Sequence, residues 1–483
     1  MTGLKEKLAF WSDRIEKNNR WRQQECFNLI PSENSPSLLV KLAEIADPVG
    51  RYAEHRTMKG QEVYFYQGTD FIREVELEAR KELKAYFGCQ DVELRPVSGQ
   101  MANEVVFKGL VKFVNRKRQK GEPFRRLRLV MNNDLNLGGH LSAQPMGALF
   151  NLVEEDPATG KESVINIPVR KDNPYKVDSG RLADLLKDYR PELVVFGKSM
   201  FIYPEPVKFV HDLVKDWPER PLLMYDMAHV LGLYGAFQSP FEEGADIVTG
   251  SAHKTFFGTQ RGIIAGNIAQ GSPWPQLWTD IQARAFPGST SNHHLGTLLG
   301  LLLATYEMNE FKADYQTQVR KNAKALARYL KAAGIEVEGD EADGFTETHQ
   351  VLIRVRKFGN GQDIARRLED NNIIANYQAL PDDTTFLESS GIRLGVQEMT
   401  RFGMKEKDFE ILAGLMAEVI RKNKPVKDEV KRYRQGFVEM KYCLPEEEAL
   451  ELASKLFLSL FPSKEFAQML VDSLARKVKE LTS

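Results

Sequence analysis

The spacing of short apolar runs constrains this chain more than any other feature. Residues 127–131, 193–196, 222–225, 246–248 and 262–265 are rich in Val, Ile and Leu, and helical periodicity occupies 70–86, 98–114, 179–187 and 206–216. Apolar runs this short suit strands covered on both faces. Their alternation with helices predicts an α/β fold on a mainly parallel sheet. Helical spacing continues over 295–334, through Leu298, Leu301, Leu302 and Tyr306. A smaller α/β unit follows, with strands at 351–355, 373–376 and 392–394 and helices at 361–371 and 406–422. The first residues read as a helix at 4–19, a turn around Pro31, Ser32 and Asn34, and a second helix after Pro36. The expected organisation is an N-terminal arm (1–50), a large domain (51–300), a small C-terminal domain (301–422) and a helical, charged extension (423–483) with a stripe through Leu452, Leu456 and Leu460.

Composition excludes several classes. The 483 residues carry 66 Lys+Arg against 67 Asp+Glu, a net charge of -1. A near-neutral chain lacks the basic field that nucleic acid or an anionic membrane requires of a main partner. The basic stretch from Arg116 to Arg128 is expected to be a solvated helix end and loop. Cys26, Cys89 and Cys443 follow no metal or redox spacing and fit reduced thiols. The N-terminus has no signal-peptide pattern, and the longest apolar run, 298–304, is too short to span a bilayer. A cytoplasmic protein is expected. His293 and His294 have no further ligand spacing nearby, so no metal site is expected.

The most informative segment runs from 222 to 262. Leu222-Leu223-Met224-Tyr225 leads into Asp226-Met227-Ala228-His229, and Ala245-Asp246-Ile247-Val248-Thr249-Gly250 leads into Ser251-Ala252-His253-Lys254-Thr255. Ligands of open α/β sheets sit outside the carboxyl ends of strands, which places Asp226 and Lys254 at one crevice. A lysine and a carboxylate there suit pyridoxal phosphate: the amine forms a Schiff base, and the carboxylate keeps the pyridine nitrogen protonated. Taken alone, the pair fits equally a helix-capping Asp and an exposed Lys. Ser98-Gly99-Gln100-Met101-Ala102-Asn103 opens a helix whose free amides suit a phosphate, or is an ordinary Ser N-cap. Gly138-Gly139-His140 allows close backbone approach and an imidazole over a flat ring, or is a turn with a surface histidine.

With these motifs the chain resembles the serine hydroxymethyltransferase family of fold-type I pyridoxal-phosphate enzymes. The resemblance runs collinearly over most of 1–422, through Asn28-Leu29-Ile30-Pro31-Ser32-Glu33-Asn34, Arg51-Tyr52-Ala53-Glu54, Ser98 to Asn103, Gly138 to Leu141, Asp226 to His229, Thr249 to Thr255, Phe286-Pro287-Gly288 and Ser390-Gly391-Ile392-Arg393-Leu394-Gly395. It implies Lys254 as the Schiff-base lysine, Asp226 as the pyridine-nitrogen partner and His140 as the residue on the ring. Ser98, Gly99, Gln100 and His253 would lie on the phosphate side, with Arg261 also at the cofactor. Ser199 and His229 would stand near the ring hydroxyl. Arg393 would clamp the amino-acid carboxylate, with Ser32 near it and Tyr66 at the substrate. Tyr52 and Glu54 would come from the neighbouring subunit, Glu54 handling the proton of the β-hydroxyl. Each site of an expected homodimer would thus be shared.

The threonine-rich run usual before the lysine is reduced to Thr249-Gly250-Ser251-Ala252, residues 423–483 extend beyond the usual end, and two further stretches leave the family pattern. After Glu54 the run is His55-Arg56-Thr57-Met58-Lys59-Gly60-Gln61-Glu62-Val63-Tyr64-Phe65-Tyr66-Gln67-Gly68, and after Gly288 it is Ser289-Thr290-Ser291-Asn292-His293-His294. The second, with Gly395-Val396-Gln397 and Met399-Thr400-Arg401, is more similar to the threonine transaldolase branch. The leading expectation is Cα–Cβ cleavage of serine with hydroxymethyl transfer to tetrahydrofolate, giving glycine. The alternative is folate-independent transaldolation or aldol cleavage of threonine. A transaminase or a non-catalytic protein of the same fold stands behind both.

Overall fold

The computed structural model describes residues 2–268, 271–461 and 463–482. Seven strands form the main sheet, in the order Asp91–Glu93, Gly262–Gly266, Ile247–Ser251, Leu222–Asp226, Leu193–Phe196, Val130–Asn133 and Val164–Ile167. The last five run parallel, and Gly262–Gly266 is antiparallel to both of its neighbours. Side-chain alternation along the central strands feeds two cores. Val194, Phe196, Leu223, Tyr225 and Val248 join one. Leu193, Val195, Leu222, Met224 and Ile247 join the other. Both faces are therefore dry, which is why these strands are apolar throughout.

Two strands escape the sequence pattern, Asp91–Glu93 and Val164–Ile167. Both are sheet edges. An edge has one neighbour and partial exposure, so it needs no continuous apolar run. The strand expected at 127–131 lies instead at Val130–Asn133. Asn132 and Asn133 continue it because their buried amides are satisfied, by the Ala143 carbonyl at 2.6 Å and by Glu205 at 3.0 Å.

A second sheet is antiparallel throughout, in the order Glu336–Val337, Gln350–Arg354, Gly391–Gly395 and Asn376–Gln378. The strand expected at 373–376 is split: Ile373–Ile374 pairs in parallel with Phe27–Asn28 of the N-terminal arm. One continuous helix, Leu295–Ala332, passes through the expected boundary at 300 and packs on Leu38–Glu44, Asp70–Phe87 and Glu406–Lys422. Past 422 the chain is helical and partly folds back on the arm. Arg434 is fully buried and donates to the carbonyls of Cys26 at 2.9 Å and Gln23 at 2.7 Å. Among the described residues no helix is long and apolar enough to cross a membrane.

Gly197 ends the strand Leu193–Phe196 where it passes Asp226. A Cβ there would lie 2.7 Å from the Asp226 Cβ. Overpacking of this kind costs about 1–3 kcal/mol. Gly197→Ala is expected to lower the thermal midpoint and loosen the Asp226 pocket; an unchanged melting curve would show that the close approach imposes nothing.

Candidate active site

The parallel strands bring four carboxyl ends to one edge. Leu222–Asp226 ends on Asp226, and Ile247–Ser251 leads to His253 and Lys254. Val130–Asn133 leads to Gly138-Gly139-His140, and Leu193–Phe196 to Gly197 and Ser199. Gly138 and Gly139 sit against Met200 and the Asn133–Asp134 backbone, where a Cβ would come within 2.8 Å and 2.2 Å.

Asp226 is buried and heavily bonded. Its Oδ2 accepts from Asn103 Nδ2 at 2.7 Å, Ser142 Oγ at 3.1 Å and His140 Nδ1 at 2.5 Å, and its Oδ1 from the Ala228 amide at 3.0 Å. Burial alone would raise its carboxyl, but His140, Asn103 and the Ala228 amide outweigh it and hold it at about 2. His140 therefore bonds Asp226 directly, and its ring stands edge-on to His229 at 5.8 Å. Asn103 also accepts from Thr249 at 2.6 Å, which ties the helix Gly99–Val114 to the strand before Lys254.

Lys254 is buried close enough to Asp226 to feel its charge. Burial pulls its amine down to about 8, Asp226 acting against the shift and Arg393 with it. Its carbonyl accepts from Asn34 at 2.7 Å, so the turn after Pro31 folds over the cleft. That turn is held by Gln397, which donates to the carbonyls of Ile30 at 2.8 Å and Glu33 at 2.7 Å. A cleft of about 750 Å³ lies here, with Ser32, Asn34, His253 and Lys254 in its wall. His253 is drawn down to about 4, chiefly by burial, and its buried Nδ1 has no partner. His229 is held well below its ordinary value by burial; its Nδ1 lies 3.2 Å from Gln350 Nε2.

Arg393 enters from the second sheet. Its Nη1 donates to the Ser199 carbonyl at 2.7 Å and its Nε reaches Asn376 at 3.4 Å. Among the described residues no carboxylate pairs with it, and burial alone draws it down to about 10. A buried guanidinium without a counter-charge is suited to a carboxylate ligand. Ser199 itself bonds the Gly138 carbonyl at 3.3 Å.

At the other side of the crevice Ser98 caps the helix Gly99–Val114 by accepting from the Met101 amide at 3.2 Å. The first amides of a helix have no carbonyl in the ladder, and they point outward with the positive end of its dipole. Gly99 packs closely on the strand before Lys254: a Cβ would lie 2.3 Å from Ser251 Oγ, which would have to turn aside. Ser98 and Gln100 are exposed beside it. Amine, ionised carboxylate, helix N-terminus and orphaned imidazole nitrogen together suit the aldehyde, ring nitrogen and phosphate of pyridoxal phosphate.

Four expected residues lie apart. Tyr52 and Tyr66 are exposed, 50% and 41%, with their rings 5.3 Å apart, and Tyr66 bonds the half-buried Glu54. No contact joins these three to Lys254 among the described residues. Arg261, expected at the cofactor, is fully buried, and its guanidinium donates to the carbonyls of Leu94, His293 (2.7 Å) and His294 (2.9 Å) and to the Thr297 hydroxyl (2.9 Å). These bonds brace backbone; its buried Nε has no partner among the described residues, and the side chain is not in the wall of the cleft. Asn103, Ser142 and Gln350 were not foreseen as site residues. Asn103 lies in the quoted Ser98 motif, but nothing local marks an amide as the donor to a carboxylate 123 positions away. A larger hollow of about 1100 Å³ lies at the opposite, amino ends of the strands. Its Arg125, Arg128 and Arg220 are already paired with Glu192 and Asp246, and it holds none of the groups above.

Comparison with known proteins agrees with this geometry. A family model described as serine hydroxymethyltransferase matches residues 11–416. A serine hydroxymethyltransferase from Pyrobaculum calidifontis is 37% identical over 93% of this chain and 97% of its own. Another from Sulfolobus acidocaldarius is 38% identical over 94% and 99%. Among solved structures, the L-threonine transaldolase of Pseudomonas fluorescens, in its internal aldimine state, is similar with a TM-score of 0.78 and 28% identity, covering 94% of this chain and 99% of that one. The architecture is that of fold-type I pyridoxal-phosphate enzymes, and the chain belongs to the serine hydroxymethyltransferase family.

Proposed function

We propose that this protein is a pyridoxal-phosphate enzyme that breaks and makes the Cα–Cβ bond of β-hydroxy-α-amino acids. Its main reaction passes a hydroxymethyl group between serine and glycine, with tetrahydrofolate as the one-carbon partner. The burial of Lys254, Asp226 and Arg393 close enough together for both charges to act on the Lys254 amine carries the proposal. When bound, the cofactor supplies an electron sink for the pair released at the substrate α-carbon. An amine drawn down to about 8 keeps a nucleophilic fraction at neutral pH, which suits Lys254 to hold the aldehyde. Asp226, ionised throughout the working range, suits a protonated ring nitrogen, with His140 beside it. Ser98, Gly99, Gln100 and His253 would hold the phosphate, and Ser199 and His229 the side of the ring hydroxyl. Arg393 would clamp the substrate carboxylate through its fork of donors, near Ser32.

The exposure of Tyr52 and Tyr66, with the half-buried Glu54 bonded to Tyr66, supports a homodimer in which each chain lends these residues to its partner's site. Glu54 would then take and return the β-hydroxyl proton during cleavage. The three unpaired cysteines support a reducing, cytoplasmic setting. A second reading, threonine-dependent transaldolation without folate, is favoured by the similarity to the transaldolase and by the run His55 to Gly68, which leaves the hydroxymethyltransferase pattern.

Borohydride reduction of the loaded enzyme is expected to fix the cofactor on the peptide containing Lys254, and Lys254→Ala to leave nothing fixed in a chain that still folds. Cofactor found on another lysine would overturn the assignment. Asp226→Asn is expected to retain cofactor absorbance and lose most of the exchange of the glycine α-proton, because an amide cannot keep the ring nitrogen protonated; wild-type exchange would refute the role. The second substrate is decided by one side-by-side assay. Serine cleavage is expected to rise strongly with tetrahydrofolate. Threonine consumption indifferent to folate, with a new β-hydroxy amino acid formed from an added aromatic aldehyde, would replace the hydroxymethyl reading by the transaldolase one.

A further inference from the structure

The two stretches that leave the family pattern are far apart in sequence and meet at one buried carboxylate. Glu76, on the helix Asp70–Phe87, is 1% exposed. Its Oε1 bonds His293 Nε2 at 2.5 Å. Its Oε2 accepts from the Tyr64 hydroxyl at 3.1 Å and Arg80 at 3.3 Å, and lies 3.2 Å from His55 Nε2. Burial would raise this carboxyl, but His293, His55 and Arg80 outweigh it and hold it at about 2. One ionised group therefore ties the hairpin to the segment before the helix Leu295–Ala332. A second tie is close by, since Asn292 donates to the Arg51 carbonyl at 2.8 Å.

The hairpin passes this anchorage on to Glu54. His55 and Tyr64 are cross-strand partners, and their rings stack at 4.5 Å. Both face inward to Glu76. Successive residues of a strand face opposite sides, so a hairpin pinned through His55 turns Glu54 outward. Glu54 is fixed further by the Phe65 amide, which donates to its carbonyl at 3.0 Å.

We propose that Glu76 is a positioning residue which, through His55, Tyr64 and His293, holds Glu54 and Tyr52 in the pose in which they enter the partner subunit's site. This rests on Glu54 as the group that handles the β-hydroxyl proton. A merely structural ion cluster would affect all reactions alike. A positioning role affects cleavage of the Cα–Cβ bond and spares exchange of the glycine α-proton, which involves no β-hydroxyl.

The test uses holoenzyme of wild type, Glu76→Gln, Glu54→Gln and the double variant, with Tyr64→Phe as a milder change that deletes one donor and keeps the ring. Thermal midpoint, cofactor absorbance, glycine α-proton exchange, and kcat and KM of serine and threonine cleavage are measured. In Glu76→Gln, kcat of cleavage is expected to fall by about tenfold or more, since a displaced general base forfeits part of a contribution of about 10²–10⁴-fold, while exchange stays near wild type. The double variant is expected to lose little beyond Glu54→Gln alone, because both changes act through one group. Tyr64→Phe is expected to show the same split at smaller size, and it decides the matter if Glu76→Gln does not fold. Parallel loss of cleavage and exchange, unchanged cleavage, or additive losses would overturn the positioning role. Full cleavage by Glu54→Gln would instead overturn the role of Glu54 on which it rests.

Discussion

A carboxylate in the dry interior has to be met by donors, and meeting Asp226 organises the centre of this molecule. Its partners come from three stretches that share nothing in sequence: Asn103 on a helix, His140 and Ser142 after one strand, and the Ala228 amide after its own. Each stretch must end at the same place for the charge to survive. Parallel strands with a common carboxyl edge provide that meeting point. The glycines at 138, 139 and 197 allow the backbones to close around it.

The ionised Asp226 in turn shapes its neighbours. It opposes the effect of burial on Lys254, whose amine settles at about 8. Arg393 brings a second charge from the other sheet, and among the described residues no carboxylate meets it. One buried anion, one buried cation and an amine that feels both are thus gathered at the carboxyl ends of the strands. The arm completes the cleft by placing Asn34 on the Lys254 carbonyl, and Arg434 holds the arm from behind.

Glu76 repeats the same principle on the far side of the helix Asp70–Phe87. Four side chains from three segments converge on a buried carboxylate, and a hairpin with little core of its own gains a defined place. The inward face of that hairpin is polar but satisfied, while Tyr52 and Tyr66, which flank it, remain exposed.

Local pattern was enough for the central strands and for the Asp226 and Lys254 blocks, because a strand covered on both faces must be apolar and its polar continuation marks the carboxyl end. Helices such as Glu406–Lys422 were equally legible from their periodicity. Edge strands were not, since Asp91–Glu93 and Val164–Ile167 each have one neighbour and are short and interrupted by polar residues. Arg261 shows the limit for single residues: the resemblance placed it at the cofactor, and only the packed structure shows its Nη groups bonded to three backbone carbonyls and the Thr297 hydroxyl. The chemistry at the strand ends was thus determined by sequence alone, because residue type and local periodicity suffice for it. The donors that keep Asp226 and Glu76 ionised, the split strand that binds the arm, and the meeting of His55 with His293 were decided by tertiary structure, because each joins residues that only long-range packing brings within hydrogen-bond reach.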